Sequence, residues 1–179
     1  MSQSHHLIVG GQRSGKSRHA ESLARASGRD VIVVATALAL DDEMAARIAR
    51  HQRDRPAAFR TVEAPLALTQ ALRAHDAPGQ IVLVDCLTLW LTNWLMPING
   101  VPDLPGWERE RAALLDALPQ LRSPLIFVSN EVGWGVSPMT PEARSFVDEL
   151  GRLNQAVAAR CATLTLMVAG QPWSREIHS

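Results

Sequence analysis

Short apolar segments alternate along the chain with longer segments of mixed polarity. Five short segments are apolar on successive residues and rich in Val, Ile or Leu, which is typical of strands buried on both faces of a parallel sheet. These predicted strands are Leu7–Val9, Val31–Ala35, Ile81–Val84, Leu125–Ser129 and Thr163–Val168. The predicted helices between them are Ser17–Ala26, Asp42–Asp54, Leu66–His75, Leu87–Leu95, Trp107–Leu121 and Pro141–Arg160.

This alternation predicts an α/β fold of three layers, with ligands bound at the carboxyl ends of the strands. Pro141 suits the first turn of its helix, and Thr140 is the predicted cap. The stretch Pro97–Gly106 is rich in Pro and Gly and is predicted to be a surface loop between two helices. We expect residues 1–179 to form a single domain.

The first predicted strand leads directly into a phosphate-binding motif. The segment Gly10-Gly11-Gln12-Arg13-Ser14-Gly15-Lys16-Ser17 fits G-x-x-x-x-G-K-[ST], and a predicted helix follows it. Backbone N–H groups of such a loop and of the helix N-terminus bind the phosphates of a nucleotide. The predicted fold class is therefore a three-layer P-loop NTPase (RecA-like) fold, with a mainly parallel sheet flanked by helices.

Lys16 is the only lysine in the chain. All the remaining side chains among the 18 Lys and Arg residues are arginines. A compact ammonium reaches between two phosphates as a point charge, whereas the planar guanidinium is not equivalent there. Lys16 is therefore predicted to bind the triphosphate, and the Ser17 hydroxyl to bind Mg²⁺.

Asp85 ends the predicted strand Ile81–Val84 and is the second candidate ligand of Mg²⁺. In P-loop proteins a carboxylate in this position holds the metal. The alternative is that Asp85 only caps the helix that begins near Leu87.

Composition excludes several classes of protein. Acidic and basic residues balance at 18 each, which does not favour binding to bulk nucleic acid or to an anionic membrane. No apolar run approaches the ~20 residues that span a bilayer, and the first ten residues lack a signal-peptide pattern. Cys86 and Cys161 lie far apart and are predicted to be buried free thiols of a cytoplasmic protein.

Several further segments resemble one enzyme family. The motifs are the phosphate loop; Asp41-Asp42-Glu43-Met44-Ala45 with Arg47-Ile48 and His51; Arg55-Pro56; Thr61-Val62-Glu63-Ala64-Pro65; Val84-Asp85-Cys86-Leu87-Thr88 with Asn93; Ser129-Asn130-Glu131-Val132-Gly133 with Gly135; Phe146 and Asp148; Gly151-Arg152-Leu153-Asn154-Gln155; and Val168-Ala169-Gly170. In this order they resemble the bifunctional adenosylcobinamide kinase / adenosylcobinamide-phosphate guanylyltransferase of cobalamin biosynthesis. The resemblance extends from Leu7 to about Gly170.

The resemblance implies two reactions in sequence. A nucleoside triphosphate, ATP or GTP, phosphorylates the aminopropanol hydroxyl of adenosylcobinamide, and GTP then donates GMP to that phosphate. The second reaction passes through a guanylyl-histidine, which the resemblance assigns to His51. From the sequence without the family, His51 is an exposed helix histidine like many others.

The resemblance also implies contacts with the nucleotide and an assembly. The implied contacts are Ala35, Thr36, Ala37, Gln52, Arg53, Asp54, Arg55, Glu63 and Asp85. A carboxylate such as Glu63 can accept two hydrogen bonds from guanine, which is a hypothesis for GTP selectivity. The family assembles as a homotrimer.

Three other features carry weaker predictions. Asn130–Gly135 follows a strand on the same edge as the phosphate loop and is predicted to position the substrate. Trp90 and Trp94 lie four residues apart and favour the core or a subunit interface over a corrinoid platform. His5, His6, His19, His75 and His178 are predicted to be surface residues.

Two other functions are consistent with the phosphate loop. One is a small-molecule P-loop kinase without guanylyl transfer. The other is a RecA-like regulatory NTPase or motor acting on nucleic acid or a partner protein, against which the neutral charge balance argues.

Overall fold

A computed structural model describes residues 5–38, 46, 57–98 and 100–177, and its described part is built on one seven-stranded sheet. The strands are β1 (His6–Gly10), β2 (Asp30–Ala35), β3 (Arg60–Glu63), β4 (Gln80–Asp85), β5 (Leu125–Val128), β6 (Thr163–Val168) and β7 (Gln171–Glu176). The described helices are α1 (Lys16–Ala26), α2 (Leu68–Ala74), α3 (Leu87–Leu95), α4 (Leu104–Ala117) and α5 (Pro141–Ala158), with a 3₁₀ turn at Leu118–Gln120.

The strand order is β3-β2-β4-β5-β1-β6-β7. Every neighbouring pair is parallel except β6 and β7, which are antiparallel. Because the strands β1 to β6 run in the same direction, the loops that follow β1, β2, β4 and β5 meet along the carboxyl ends of the strands, which we call the carboxyl edge of the sheet. The predicted α/β class with a mainly parallel sheet is confirmed.

Alternate residues of each central strand face two different apolar cores. In β1, Leu7 and Val9 pack into a core with residues of α2 to α5, whereas Ile8 packs with Ala20 and Ala24 of α1. The strands β2, β4 and β5 alternate in the same way. Helices therefore cover both faces of the sheet, which explains why these strands are apolar on successive residues.

All five predicted strands are present, but β3 and β7 were not predicted. These two strands are the outermost strands of the sheet, and most of their residues are exposed. Their sequences are Arg-Thr-Val-Glu and Gln-Pro-Trp-Ser-Arg-Glu. An edge strand buries little surface, so it lacks the apolar run that identified the others. Pro172 is tolerated in β7 because an edge strand does not need every N–H.

The helix predictions agree in type, and one boundary is wrong. Helix α4 begins at Leu104 and not at Trp107, inside the predicted loop Pro97–Gly106. Pro105 lies in its first turn, where no N–H is required, and the Asp103 side chain caps it by accepting from Gly106 N at 2.8 Å. Pro and Gly here belong to a helix start rather than to a loop.

At the other helix ends the differences are small. Helix α5 begins at Pro141 as predicted, and Thr140 Oγ1 accepts from Ala143 N at 3.3 Å, which confirms the predicted cap. The α-helix predicted to continue to Leu121 gives way to the 3₁₀ turn at Leu118. The predicted helix Asp42–Asp54 lies outside the described residues, apart from Ala46, which is helical.

The predicted surface position of His5 is wrong, because this side chain is buried. Its Nε2 bonds Leu118 O at 3.0 Å, and its Nδ1 accepts from Leu125 N at 3.2 Å. His6, His19 and His75 are half-buried, and His178 lies outside the described residues.

The core interpretation of the tryptophans is confirmed for Trp90. This side chain is fully buried and packs edge-to-face against Trp107 with ring centroids 5.0 Å apart. Trp94 packs against the same core. Cys86 and Cys161 are free thiols, and burial raises the pKa of Cys86 to about 11 and that of Cys161 to about 12.

Within the described residues, no helix is long and apolar enough to cross a membrane.

Candidate nucleotide-binding site

The predicted phosphate loop turns tightly between β1 and α1. Gly15 caps α1 in the left-handed region at φ 97°, and Arg13 is also left-handed at φ 57°. Gly10 has no room for a side chain, because a Cβ there would lie 2.5 Å from Met167 O. The loop is held to the turn after β6, where Gly170 N donates to Ser14 O at 3.0 Å. This backbone directs the N–H groups at the start of α1 towards the sheet edge, as phosphate binding requires.

The Lys16 side chain lies within the loop. It is 8% exposed, and its Nζ donates to Gly11 O at 2.6 Å. Burial lowers the pKa of the Lys16 ammonium, and the nearby Cys86 and Asp85 oppose that shift. A buried cation with a carbonyl as partner is poised to exchange that carbonyl for a phosphate oxygen, which carries a full charge.

Ser17 and Asp85 meet in front of the loop. Ser17 Oγ donates to Asp85 Oδ1 at 3.4 Å, and Asp85 is the last residue of β4. Strand β5 lies between β1 and β4, so the carboxylate reaches the helix start across one intervening strand. The structure thus brings together the two residues predicted to hold Mg²⁺.

The donor set fits Mg²⁺ rather than a metal caged wholly by protein. Among the residues described, no three His, Cys, Asp or Glu side chains form a cluster that could hold a metal. One hydroxyl and one carboxylate remain, and Mg²⁺ characteristically takes one or two protein oxygens together with phosphates and water.

Thr36 supports the backbone next to Asp85. Its Oγ1 donates to Cys86 O at 2.7 Å and accepts from Cys86 N at 3.0 Å. Asn93 Nδ2 in turn donates to Thr36 O and to Pro65 O, both at 2.8 Å. The predicted contact of Thr36 with the nucleotide stays a prediction, while its side-chain hydrogen bonds hold the backbone of Cys86, the residue after Asp85. The supporting role of Asn93 was not predicted, and its amide side chain in a helix otherwise made of Leu, Trp and Thr was the available signal.

Three of the other predicted contacts lie at the same sheet edge. Ala35 of β2 pairs in register with Glu63 of β3 on one side and with Asp85 of β4 on the other. Glu63 is exposed and Ala37 is half-buried. Predicted residues far apart in the chain are therefore aligned by strand register.

The segment after β5 lies against the phosphate loop. Glu131 N donates to Gly10 O at 3.1 Å, and Asn130 N donates to Thr88 Oγ1 at 2.9 Å. Asn154 of α5 donates to Asn130 O at 3.0 Å. The predicted neighbourhood of Asn130–Gly135 and the phosphate loop is observed.

His51, together with Gln52, Arg53, Asp54 and Arg55, lies outside the described residues. Their predicted roles therefore stay predictions.

The sheet, the loop between β1 and α1, and the Ser17–Asp85 pair define a P-loop nucleotide-binding protein. A family model described as "Cobinamide kinase / cobinamide phosphate guanyltransferase" matches residues 6–174. The chain belongs to this family.

Two relatives match over nearly their whole length. The chain is 52% identical over 166 residues to the bifunctional adenosylcobalamin biosynthesis protein CobP of Pseudomonas aeruginosa, covering 93% of this chain and 94% of that one. It is 40% identical over 173 residues to the bifunctional adenosylcobalamin biosynthesis protein CobU of Escherichia coli K12, covering 92% and 95%. Among solved structures, the RadB recombinase is 15% identical and overlaps 92% of this chain and 74% of that one, with a TM-score of 0.49.

Proposed function

We propose that this protein is a bifunctional adenosylcobinamide kinase and adenosylcobinamide-phosphate guanylyltransferase. It phosphorylates the aminopropanol hydroxyl of adenosylcobinamide with ATP or GTP, then transfers GMP from GTP to that phosphate, releasing pyrophosphate. The observation that carries the proposal is the meeting of Lys16, Ser17 and Asp85 at one sheet edge, in a chain that matches the family from residue 6 to residue 174.

In the kinase step, the phosphate loop orients the triphosphate. Backbone N–H groups of residues 10–17 surround the phosphates, and the Lys16 ammonium leaves Gly11 O to bind phosphate oxygens. Ser17 and Asp85 would hold Mg²⁺, which neutralises charge that develops on the phosphate oxygens. The acceptor hydroxyl attacks the γ-phosphorus and loses its proton to solvent, the bond from that phosphorus to the β–γ bridging oxygen breaks, and the nucleoside diphosphate leaves.

In the guanylyl step, His51 is the proposed nucleophile. A neutral imidazole nitrogen attacks the α-phosphorus of GTP, forming an N–P bond as pyrophosphate leaves. A phosphate oxygen of the acceptor then attacks the same phosphorus, and the N–P bond breaks to return the imidazole. Arg47, Arg50, Arg53 and Arg55 supply positive charge near His51 in the sequence.

Labelling with GTP that is radioactive at the α-phosphate tests this step. We expect acid-labile, base-stable label on the wild type and none on His51→Ala, with His75→Ala labelled as the control. His51→Ala should keep kinase activity, because the phosphate loop is a separate element. An unlabelled wild type would favour a P-loop kinase without guanylyl transfer.

Lys16→Arg should impair both reactions if one loop serves both.

Glu63 is proposed to select guanine over adenine. Its carboxylate can accept from guanine N1–H and N2–H₂ together, a pair of donors that adenine lacks, and it ends the strand beside Ala35. We expect Glu63→Gln to reduce the preference for GTP over ATP in guanylyl transfer by roughly tenfold or more, equal to about 1.4 kcal/mol. The matched control is Glu176→Gln, because Glu176 pairs with Thr163 at the opposite edge of the sheet. An unchanged preference in Glu63→Gln would contradict the assignment.

We also propose that the protein is a homotrimer and acts in the cytoplasm. The described chain leaves apolar side chains exposed at Met96, Ile98, Val101 and Leu104, a segment suited to burial between subunits. Sedimentation of the wild type and of Val101→Asp tests the assembly, and a monomeric wild type would rule it out.

A further inference from the structure

A second exposed apolar segment lies beside the phosphate loop. We call residues 132–139 the apolar loop. Its side chains Trp134, Val136 and Met139 are 71%, 98% and 94% exposed, and Val132 is 42% exposed. Scattered apolar residues on a surface are ordinary, but several in one short loop typically mark a binding site.

The apolar loop is anchored at both ends. Before it, Asn154 Nδ2 donates to Asn130 O at 3.0 Å, and Glu131 N donates to Gly10 O at 3.1 Å. At its other end, Arg144 of α5 holds the loop, because Arg144 Nη1 donates to Pro138 O at 2.9 Å and to Met139 O at 2.8 Å. These bonds hold the loop against α5 and the phosphate loop, so the apolar side chains are presented in a defined place.

An open cavity of about 300 Å³ lies between the apolar loop and α5. Its lining combines apolar groups with one cation and one carboxylate: Val132, Val136, Pro138, Arg144, Val147 and Asp148. Pockets for drug-sized ligands run from about 300 to 1,000 Å³. A ligand larger than that would therefore place only one edge in the cavity and lay the rest of its surface over the exposed side chains.

We infer that the apolar loop and this cavity bind the corrinoid acceptor of the kinase reaction. The inference rests on the proposed function. A corrinoid is a wide, flat macrocycle ringed by amides, so its face suits Trp134 and its amides suit the Arg144 guanidinium and the Asp148 carboxylate.

The sheet order separates this surface from the proposed base site. Glu63 ends β3 at one edge, whereas the apolar loop follows β5 next to β1. Strand β5 is the direct neighbour of β1, so the apolar loop leaves the sheet beside the loop that follows β1. Glu131 N donates to Gly10 O, which places an acceptor on the apolar loop next to the loop proposed to bind the triphosphate.

The test compares two tryptophans of nearly equal exposure in the full-length protein. Trp134 is 71% exposed in the apolar loop, and Trp173 is 69% exposed on the edge strand β7. We expect Trp134→Ser to raise the KM for cobinamide in the kinase reaction by roughly tenfold or more, with the KM for the nucleoside triphosphate unchanged. Trp173→Ser should leave both constants at the wild-type values. Calorimetric titration with cobinamide alone should show the same loss of affinity.

Three outcomes overturn the inference. An unchanged cobinamide KM and affinity in both Trp134→Ser and Val136→Ser would exclude the apolar loop as the acceptor site. An equal loss in Trp173→Ser would show a non-specific effect. Dissociation of an oligomer by Trp134→Ser in sedimentation, with unchanged cobinamide affinity, would assign the loop to a subunit contact.

The proposed function fails separately. A wild type that binds cobinamide but does not phosphorylate it would refute the kinase reaction, while calorimetry on Trp134→Ser would still decide the acceptor site.

Discussion

The Ser17 hydroxyl donates to Asp85 Oδ1 at 3.4 Å across 68 residues of sequence. The contact joins the start of α1, which follows β1, to the end of β4, and β1 and β4 are not neighbours in the sheet. The pairing matters because a hydroxyl and a carboxylate at this distance can both reach one Mg²⁺ ion that also binds phosphates. An aspartate that only caps a helix would not need this partner.

Asp85→Asn should therefore lower kinase activity and raise the Mg²⁺ concentration required. The amide keeps the size of the side chain but removes its charge, and we expect a loss of about 10²-fold or more in kcat. Steady-state kinetics over a Mg²⁺ titration provide the measurement. Asp30→Asn is the matched control, because Asp30 begins β2 at the opposite edge of the sheet and is exposed. Equal kinetics in the two variants would leave Asp85 with a structural role only.

The two glycines that open the phosphate loop should respond differently to alanine. A Cβ at Gly10 would lie 2.5 Å from Met167 O and 2.8 Å from Ser14 Oγ, whereas a Cβ at Gly11 would meet none of the described residues beyond its chain neighbours within 4 Å. Gly10→Ala must displace the loop or β6, so we expect a fall in stability of about 1–3 kcal/mol and a loss of nucleotide-induced stabilisation. Gly11→Ala should keep the wild-type melting temperature. Thermal melts with and without GTP measure both effects, and equal Tm values for the two variants would contradict the packing argument.

The sequence predicted the central strands and the phosphate loop because these features are local or periodic. Strands β1, β2, β4 and β5 are buried on both faces, so each contains an uninterrupted apolar run. Strands β3 and β7 are edges, and their mostly exposed residues carry no such run.

Hydrogen bonds between residues far apart in the chain could not be predicted from the sequence either. His5 was expected at the surface, yet it bonds Leu118 and Leu125, which are more than a hundred residues away in the chain. The bonds between Thr36 and Cys86 span 50 residues. No local pattern reports such pairs, because a polar residue that finds a distant partner looks the same in sequence as one that faces water.

Acid should destabilise the protein below about pH 6.5, in part through His5 and His6. Burial lowers the pKa of His5, and burial together with neighbouring His19 lowers the pKa of His6 to about 4. As the pH falls below the unfolded value of 6.5, the unfolded chain binds protons that the native chain does not, so the free energy of unfolding falls. Each kcal/mol lost lowers Tm by about 2–4 °C in a chain of this size.

Thermal melts from pH 7.5 to pH 5 of the wild type and of His5→Gln/His6→Gln measure this contribution. Glutamine does not titrate, and it can both donate and accept as the neutral imidazole does. We expect the double variant to lose less stability between the two pH values. His75→Gln is the control, because His75 bonds Arg60 at the surface. An equally steep acid loss in the double variant would remove these histidines as the cause.

Thr36→Val should damage both stability and catalysis, because its hydroxyl holds the peptide that follows Asp85. The change keeps the shape of the side chain but removes both hydrogen bonds of Oγ1. Cys86 N then lacks its acceptor, and Cys86 O lacks its donor. Each unsatisfied buried group costs about 1–3 kcal/mol, so denaturant unfolding should show a clear loss. In the folded fraction we expect a lower kcat with a raised Mg²⁺ requirement, since the Asp85 carboxylate is no longer fixed opposite Ser17. Thr36→Ser retains the hydroxyl and should restore the Mg²⁺ dependence of the wild type. If Thr36→Val lost only stability and kept that Mg²⁺ dependence, Thr36 would support the fold without positioning the metal ligand.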